Sequence, residues 1–126
     1  MSGCPLCGIQ EKKFIAQNSL TFTVRDTLPV SPGHTLILPK RHIASIFEAT
    51  KEEVAALWEA LQQARIGLIK AFSPDGFNIG INDGFAAGQT ILHLHIHVIP
   101  RYEGDMPDPR GGIRWIFPDK AKYWKD

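Results

Sequence analysis

Residues 89–100 read Gln-Thr-Ile-Leu-His-Leu-His-Ile-His-Val-Ile-Pro, so His93, His95 and His97 place three of the five histidines of this 126-residue chain on alternate positions. An imidazole that titrates near neutrality can serve as nucleophile, proton carrier or metal ligand. On an extended chain, residues i, i+2 and i+4 share a face, which spaces neighbouring Cα atoms by about 6.6 Å and the outer pair by about 13 Å. One His-x-His pair can converge on an ion with bonds near 2 Å, but a third histidine that far away cannot easily join it on a regular strand. At least one imidazole is therefore free for other chemistry. The opposite face, Leu92, Leu94, Ile96 and Val98, is expected to pack into a core.

Around this row stand other groups that can bind or react. Gly88, Gln89 and Thr90 supply permissive backbone, an amide and a hydroxyl, donor types that hold the non-bridging oxygens of a phosphate. The chain's two cysteines, Cys4 and Cys7, form a C-x-x-C knuckle. A tetrahedral zinc would need two further ligands, and besides the row the chain offers His34, in a turn, and His42, just past a strand end. A thioredoxin-like redox motif does not fit, because no strand pattern precedes CPLC, and two unlinked buried cysteines are the alternative.

The elements that must position these residues are legible. Leu20, Phe22 and Val24 alternate with Thr21, Thr23 and Arg25 as a half-buried strand, and TLILPK follows the turn DTLPVSPGH as a second. Thr50-Lys51-Glu52-Glu53 is a capping box that opens a helix, with Val54, Leu57, Leu61, Ala64, Leu68 and Phe72 as an apolar stripe facing a sheet. Past SPDG, Phe77, Ile79 and Ile81 alternate with Asn78, Gly80 and Asn82 in a further strand, and the loop DGFAAGQ leads to the histidines. Residues 103–126 read as an irregular C-terminal extension. It is rich in Pro, Gly and Asp, yet carries Trp115, Phe117, Tyr123 and Trp124, too much aromatic surface to leave in water. These signals predict one α+β domain over residues 1–126.

Composition narrows the function classes. A net charge of +1 gives no general field for gripping a nucleic-acid backbone, so phosphate chemistry has to come from local groups. No apolar run is long enough for a bilayer, and MSGCPLCG lacks the apolar core of a signal peptide. The expected location is the cytoplasm, with no membrane and no nucleic-acid partner.

HLHIHVI fits the His-φ-His-φ-His-φ-φ pattern, and the chain resembles the histidine triad family from about residue 4 to residue 101, through CPLCGI, VRD, SPGHTLILPKRH, NIGINDG, GQT and HLHIHVIPR. The resemblance implies an antiparallel sheet of about five strands, with one long helix and short helices on one face, in a homodimer. It implies a nucleotide hydrolase or nucleotidyl transferase, acting at the α-phosphorus of a nucleoside monophosphate derivative through a covalent nucleotidyl-histidine. His95 matches the nucleophile and His97 its neighbour toward the phosphate and the leaving side. Thr90 and Gln89 match phosphate-side groups, Asn82 a phosphate-side amide, and Asp26 the carboxylate that accepts from the ribose hydroxyls. Leu6, Ile9, Phe22 and Val24 would line the pocket for the base, expected to be a purine. Cys4, Cys7, His42 and His93 match the ligands of one structural zinc. Two other classes compete: a non-catalytic nucleotide-binding regulator on the same fold, and a small metal-dependent enzyme using one His-x-His pair.

Overall fold

A computed structural model describes residues 3–125. Five strands, β1 (Ala16–Gln17), β2 (Thr21–Arg25), β3 (Thr35–Pro39), β4 (Gly76–Gly80) and β5 (Ile96–Arg101), form one sheet in the order β1-β2-β3-β5-β4. Every neighbouring pair is antiparallel. A single long helix, α1 (Lys51–Phe72), begins as expected at Thr50, whose hydroxyl accepts from the Glu53 N–H while the Glu53 carboxylate accepts from the Thr50 N–H. It stops at Ser73, which takes a left-handed conformation ahead of Pro74. Short 3-10 turns occupy the loops.

The sheet divides two apolar clusters. On the helix side, Leu57, Ala60 and Leu68 of α1 pack with Ile37, Ile43, Leu94, Ile96 and Val98. On the other side, Phe22, Val24, Leu36 and Leu38 are covered by the N-terminal segment through Leu6, with Ile9 and Phe14 at the margin. β2 is consequently buried on both faces: Thr23 lies opposite Ile37 on the helix side, and Thr21 and Thr23 are as deeply buried as their apolar neighbours. Period-2 alternation reported the chemistry of β2 and not its exposure. The threonines sit under the helix because a β-branched side chain fills a sheet–helix gap almost as valine would.

Three other expectations need correcting. Val54 and Phe72 of the predicted stripe are exposed, and the buried line of α1 runs instead through Glu53, Leu57, Ala60 and Leu68. Leu57 and Leu68 of the stripe are buried and Leu61 and Ala64 pack at the core margin, while Glu53 joins the buried line as an ion pair, with the Arg41 guanidinium on both carboxylate oxygens at 2.7 and 3.1 Å. The β4 alternation buries only the Phe77 end, since β4 is a sheet edge and Ile79 and Ile81 face outward. The histidine segment is not one strand. Residues 91–95 bend, with the Leu94 N–H donating to the Ile43 carbonyl, and β5 begins only at Ile96. Leu94, Ile96 and Val98 reach the core as expected, but Leu92 is 62% exposed because it lies in the bend.

Candidate active site and metal centre

Directly opposed residues share a face, so the pairing of Leu36 with His97 places the His97 side chain on the sheet face away from the helix. The bend ahead of β5 then turns His93 toward the N-terminal knuckle and leaves His95 beside His97, their rings 5.0 Å apart. A cavity of about 480 Å³ opens on this face. It is lined by Leu6, Ile9, Val24, Asp26, His34, Asn82, Gln89, Thr90, His95 and His97.

Hydrogen bonds fix the tautomers. His95 Nδ1 lies 2.8 Å from the His93 carbonyl oxygen, which can only accept, so Nδ1 carries the hydrogen and Nε2 keeps its lone pair. An imidazole in that state is ready to attack an electrophile. His97 is half-buried, and burial is the leading cause that pushes its pKa below the ordinary histidine value, which favours a neutral ring at pH 7. Its Nδ1 lies 3.0 Å from His34 Nε2. His34 is the residue the motif reading passed over, having been noted only as a turn residue. The signal was available, because positions 34, 36 and 38 alternate onto the same face.

Asp26 directly follows β2 and has one carboxylate oxygen engaged: Oδ1 accepts from the Leu28 N–H at 2.9 Å, an Asx turn. Oδ2 lies 3.5 Å from His34 Nε2, and the side chain is only 20% exposed. Asn82 and Thr90 are exposed on the rim. Gln89 is buried with its amide spent on backbone: Oε1 accepts from Gly84, and Nε2 donates to the carbonyls of Ala44 and Ile91. Its side chain thus staples the 84–91 loop at the cavity wall. Leu6, Ile9 and Val24 share the cavity, whereas Phe22 is stacked on Phe14 at 4.3 Å and lines a neighbouring recess with Cys7, His42 and His93.

The second cluster lies beside the first. Cys4, Cys7, His42 and His93 place their ligand atoms within 4.8 Å of one another. Cys7 Sγ is 3.1 Å from His42 Nδ1 and 3.3 Å from His93 Nδ1, Cys4 Sγ is 3.6 Å from His93 Nδ1, and the two Nδ1 atoms are 3.2 Å apart. A tetrahedral zinc with bonds of about 2.0–2.3 Å spaces its ligands by roughly 3.3–3.8 Å, so the donor set fits. His93 Nε2 donates to the Pro39 carbonyl at 2.9 Å, which leaves Nδ1 unprotonated, and the residue is fully buried. All four expected ligands therefore meet, and the donor set is compatible with zinc.

The sequence profile of the HIT domain matches residues 8–104. Over 97 residues the chain is 38% identical to a bis(5'-adenosyl)-triphosphatase of Dictyostelium discoideum, covering 77% of this chain and 65% of that one. It is 38% identical over 103 residues to an AP-4-A phosphorylase of Mycobacterium tuberculosis, covering 80% and 52%. The chain thus spans less than two thirds of the length of these two enzymes. The fold is shared with a Zn-bound histidine triad family protein from Mycobacterium smegmatis at a TM-score of 0.76 and 33% identity, covering 85% of this chain and 81% of that one.

Proposed function

The chain belongs to the HIT family, and from the geometry of its site we propose that it is a nucleotide hydrolase or nucleotidyl transferase that cleaves at the α-phosphorus of a nucleoside monophosphate derivative. The observation that carries this reading is the His95 Nδ1 to His93 carbonyl hydrogen bond, which leaves the Nε2 lone pair in a cavity shared with Asp26 and His97. Leu6, Ile9 and Val24 offer an apolar seat for a base, expected to be a purine, and Asp26 Oδ2 offers an acceptor for ribose hydroxyls. In the first step His95 Nε2 forms a bond to phosphorus while the bond to the leaving group breaks, and the leaving group, hydrogen-bonded by the His97 Nε2–H, takes up a proton from solvent. Water then attacks phosphorus and gives up a proton to solvent, the N–P bond breaks, and the nucleoside monophosphate departs with His95 neutral again. Thr90 and Asn82, which line the same cavity, would hold the equatorial oxygens.

Cys4, Cys7, His42 and His93 would hold one zinc per chain. When bound, it would supply structural cross-linking of the N-terminal knuckle to the sheet. Two free thiols suit a reducing compartment, here the cytoplasm. The exposed edge β4, with Ile79 and Ile81 facing outward and Ile113 packed beside Gly80, is the surface through which a homodimer would form.

The test is to trap the intermediate. Wild-type protein denatured without acid during turnover of an adenylylated substrate should carry one nucleoside monophosphate on His95, acid-labile and alkali-stable as a phosphoramidate is. His95→Ala should lose several orders of magnitude in turnover while still binding the monophosphate. No adduct, together with an alanine variant at a tenth or more of the wild-type rate, would refute nucleophilic catalysis and favour a nucleotide-binding regulator.

A further inference from the structure

Asp26, His34 and His97 bring a carboxylate oxygen and two imidazole nitrogens within 4.8 Å of one another, a donor set that could suit a cation. The backbone argues against that use. His34 Nδ1 lies 3.1 Å from the Val30 N–H, which can only donate, so Nδ1 spends its lone pair there. A neutral imidazole that accepts at Nδ1 carries its hydrogen on Nε2 and has no lone pair left at Nε2 for a metal. His34 is 3% exposed, and burial lowers its pKa, in keeping with the neutral form.

The Nε2 hydrogen has a defined destination. His97 Nδ1 lies 3.0 Å away, with Asp26 Oδ2 to one side at 3.5 Å. By accepting at Nδ1, His97 must in turn keep its own hydrogen on Nε2. The loop that starts this chain of bonds is anchored: the His34 N–H donates to the Ser31 carbonyl, the Ser31 hydroxyl to the Pro100 carbonyl, and the Tyr102 hydroxyl to the Pro32 carbonyl. Gly33, at φ +88°, brings the turn so close to α1 that a Cβ there would meet Leu68 at 3.0 Å.

We propose that His34 is a positioning residue which transmits the polarity of the Val30 N–H to His97, holding His97 as an Nε2–H donor. Without it, the two tautomers of His97 would compete, and the wrong one offers a lone pair where the leaving atom needs a hydrogen-bond donor while it takes up a proton from solvent. This role rests on the proposed reaction for its catalytic consequence but not for the placement of the proton.

The experiment has two arms. In protein labelled with ¹⁵N-histidine, two-bond ¹H–¹⁵N correlations should show His97 as a single Nε2–H tautomer in the wild type. They should show the same in His34→Gln, whose amide can still donate from the Nε2 position, and a mixture in His34→Phe. A wild-type His97 protonated on Nδ1 overturns the proposal whether or not either variant folds, and so does a pure Nε2–H tautomer in a folded His34→Phe. In the kinetic arm, His34→Phe should lose about tenfold or more on an adenosine phosphoramidate of an alkylamine, which leaves only with a proton. It should lose less than about threefold on the p-nitrophenyl ester of adenosine monophosphate, whose leaving group departs as a stable anion, and His34→Gln should restore most of the difference. Equal losses on both substrates would overturn the catalytic role. A wild type inactive on both would overturn the proposed reaction instead, while the spectra still decide the tautomer.

Discussion

Substituting Asp26 by asparagine isolates the carboxylate from the turn it builds. Oδ1 already accepts from the Leu28 N–H, and an asparagine oxygen can do the same, so the Asx turn survives. What changes is the second atom. Oδ2, 3.5 Å from His34 Nε2, is the only carboxylate oxygen left for a sugar, and in the variant an NH₂ group stands in its place. A ribose hydroxyl that donated to an anion now meets a donor. One charge-assisted hydrogen bond contributes about 1.5–3 kcal/mol, which corresponds to a loss of roughly 10- to 150-fold in affinity. The assay is calorimetric titration with adenosine 5'-monophosphate and its 2'-deoxy analogue, products that bind without turning over. If Oδ2 takes the 2'-hydroxyl, Asp26→Asn should weaken the ribonucleotide by that factor and the deoxynucleotide by much less, so that the two ligands converge. Parallel losses for both would mean that Asp26 acts only through the turn or through His34, and would remove it from the sugar site.

Two predictions concern the supports of the site. Metal analysis of untagged protein should find about one zinc per chain; the Cys4→Ser/Cys7→Ser double variant should bind almost none and melt at a lower temperature, and a stoichiometry near zero in the wild type would refute the metal centre. The Arg41 guanidinium, followed by the Thr50 N–H, holds the Glu53 carboxyl down at about 2 against an ordinary 4.5. A depressed carboxyl pKa stabilises the fold above pH 4.5, and that stability is lost as the pH falls toward 2. Urea midpoints should therefore fall less between pH 5 and about 3 in Glu53→Gln than in the wild type, and identical slopes would show that the pair contributes nothing to folding.

The sequence showed the two clusters better than it showed the strand that joins them. Capping-box chemistry located the start of α1 because it depends on residues three apart, and four cysteine and histidine side chains from three segments meet as the family resemblance implied. β1 gave no signal because two residues cannot show a period. The apolar stripe of α1 could not include Glu53 since a burial pattern counts apolar side chains, and its burial depends on Arg41 arriving from a different segment. The stapling role of Gln89 was hidden for the same reason: its partners at Gly84, Ala44 and Ile91 are backbone atoms, which leave no trace in side-chain spacing.

The bend at residues 91–95 turns the failed expectation of a regular strand into the reason for the repeat. On an unbroken strand the three imidazoles would stand parallel, about 6.6 Å apart, in near-equivalent surroundings. With the chain bent, each ring meets a different fixed partner. Pro39 O takes the Nε2 hydrogen of His93 and leaves Nδ1 as a ligand. The His93 carbonyl takes the Nδ1 hydrogen of His95 and leaves Nε2 with the lone pair that the proposed nucleophile needs. His34 fills the Nδ1 lone pair of His97 and leaves its Nε2–H as a donor. His93 belongs to both clusters, its ring in the metal centre and its carbonyl setting the tautomer of His95, so a change that displaces this one residue should unsettle ligand and nucleophile together. The alternating spacing supplies three identical side chains, and the partners around the bend give them the three different proton placements that the proposed ligand, nucleophile and donor require.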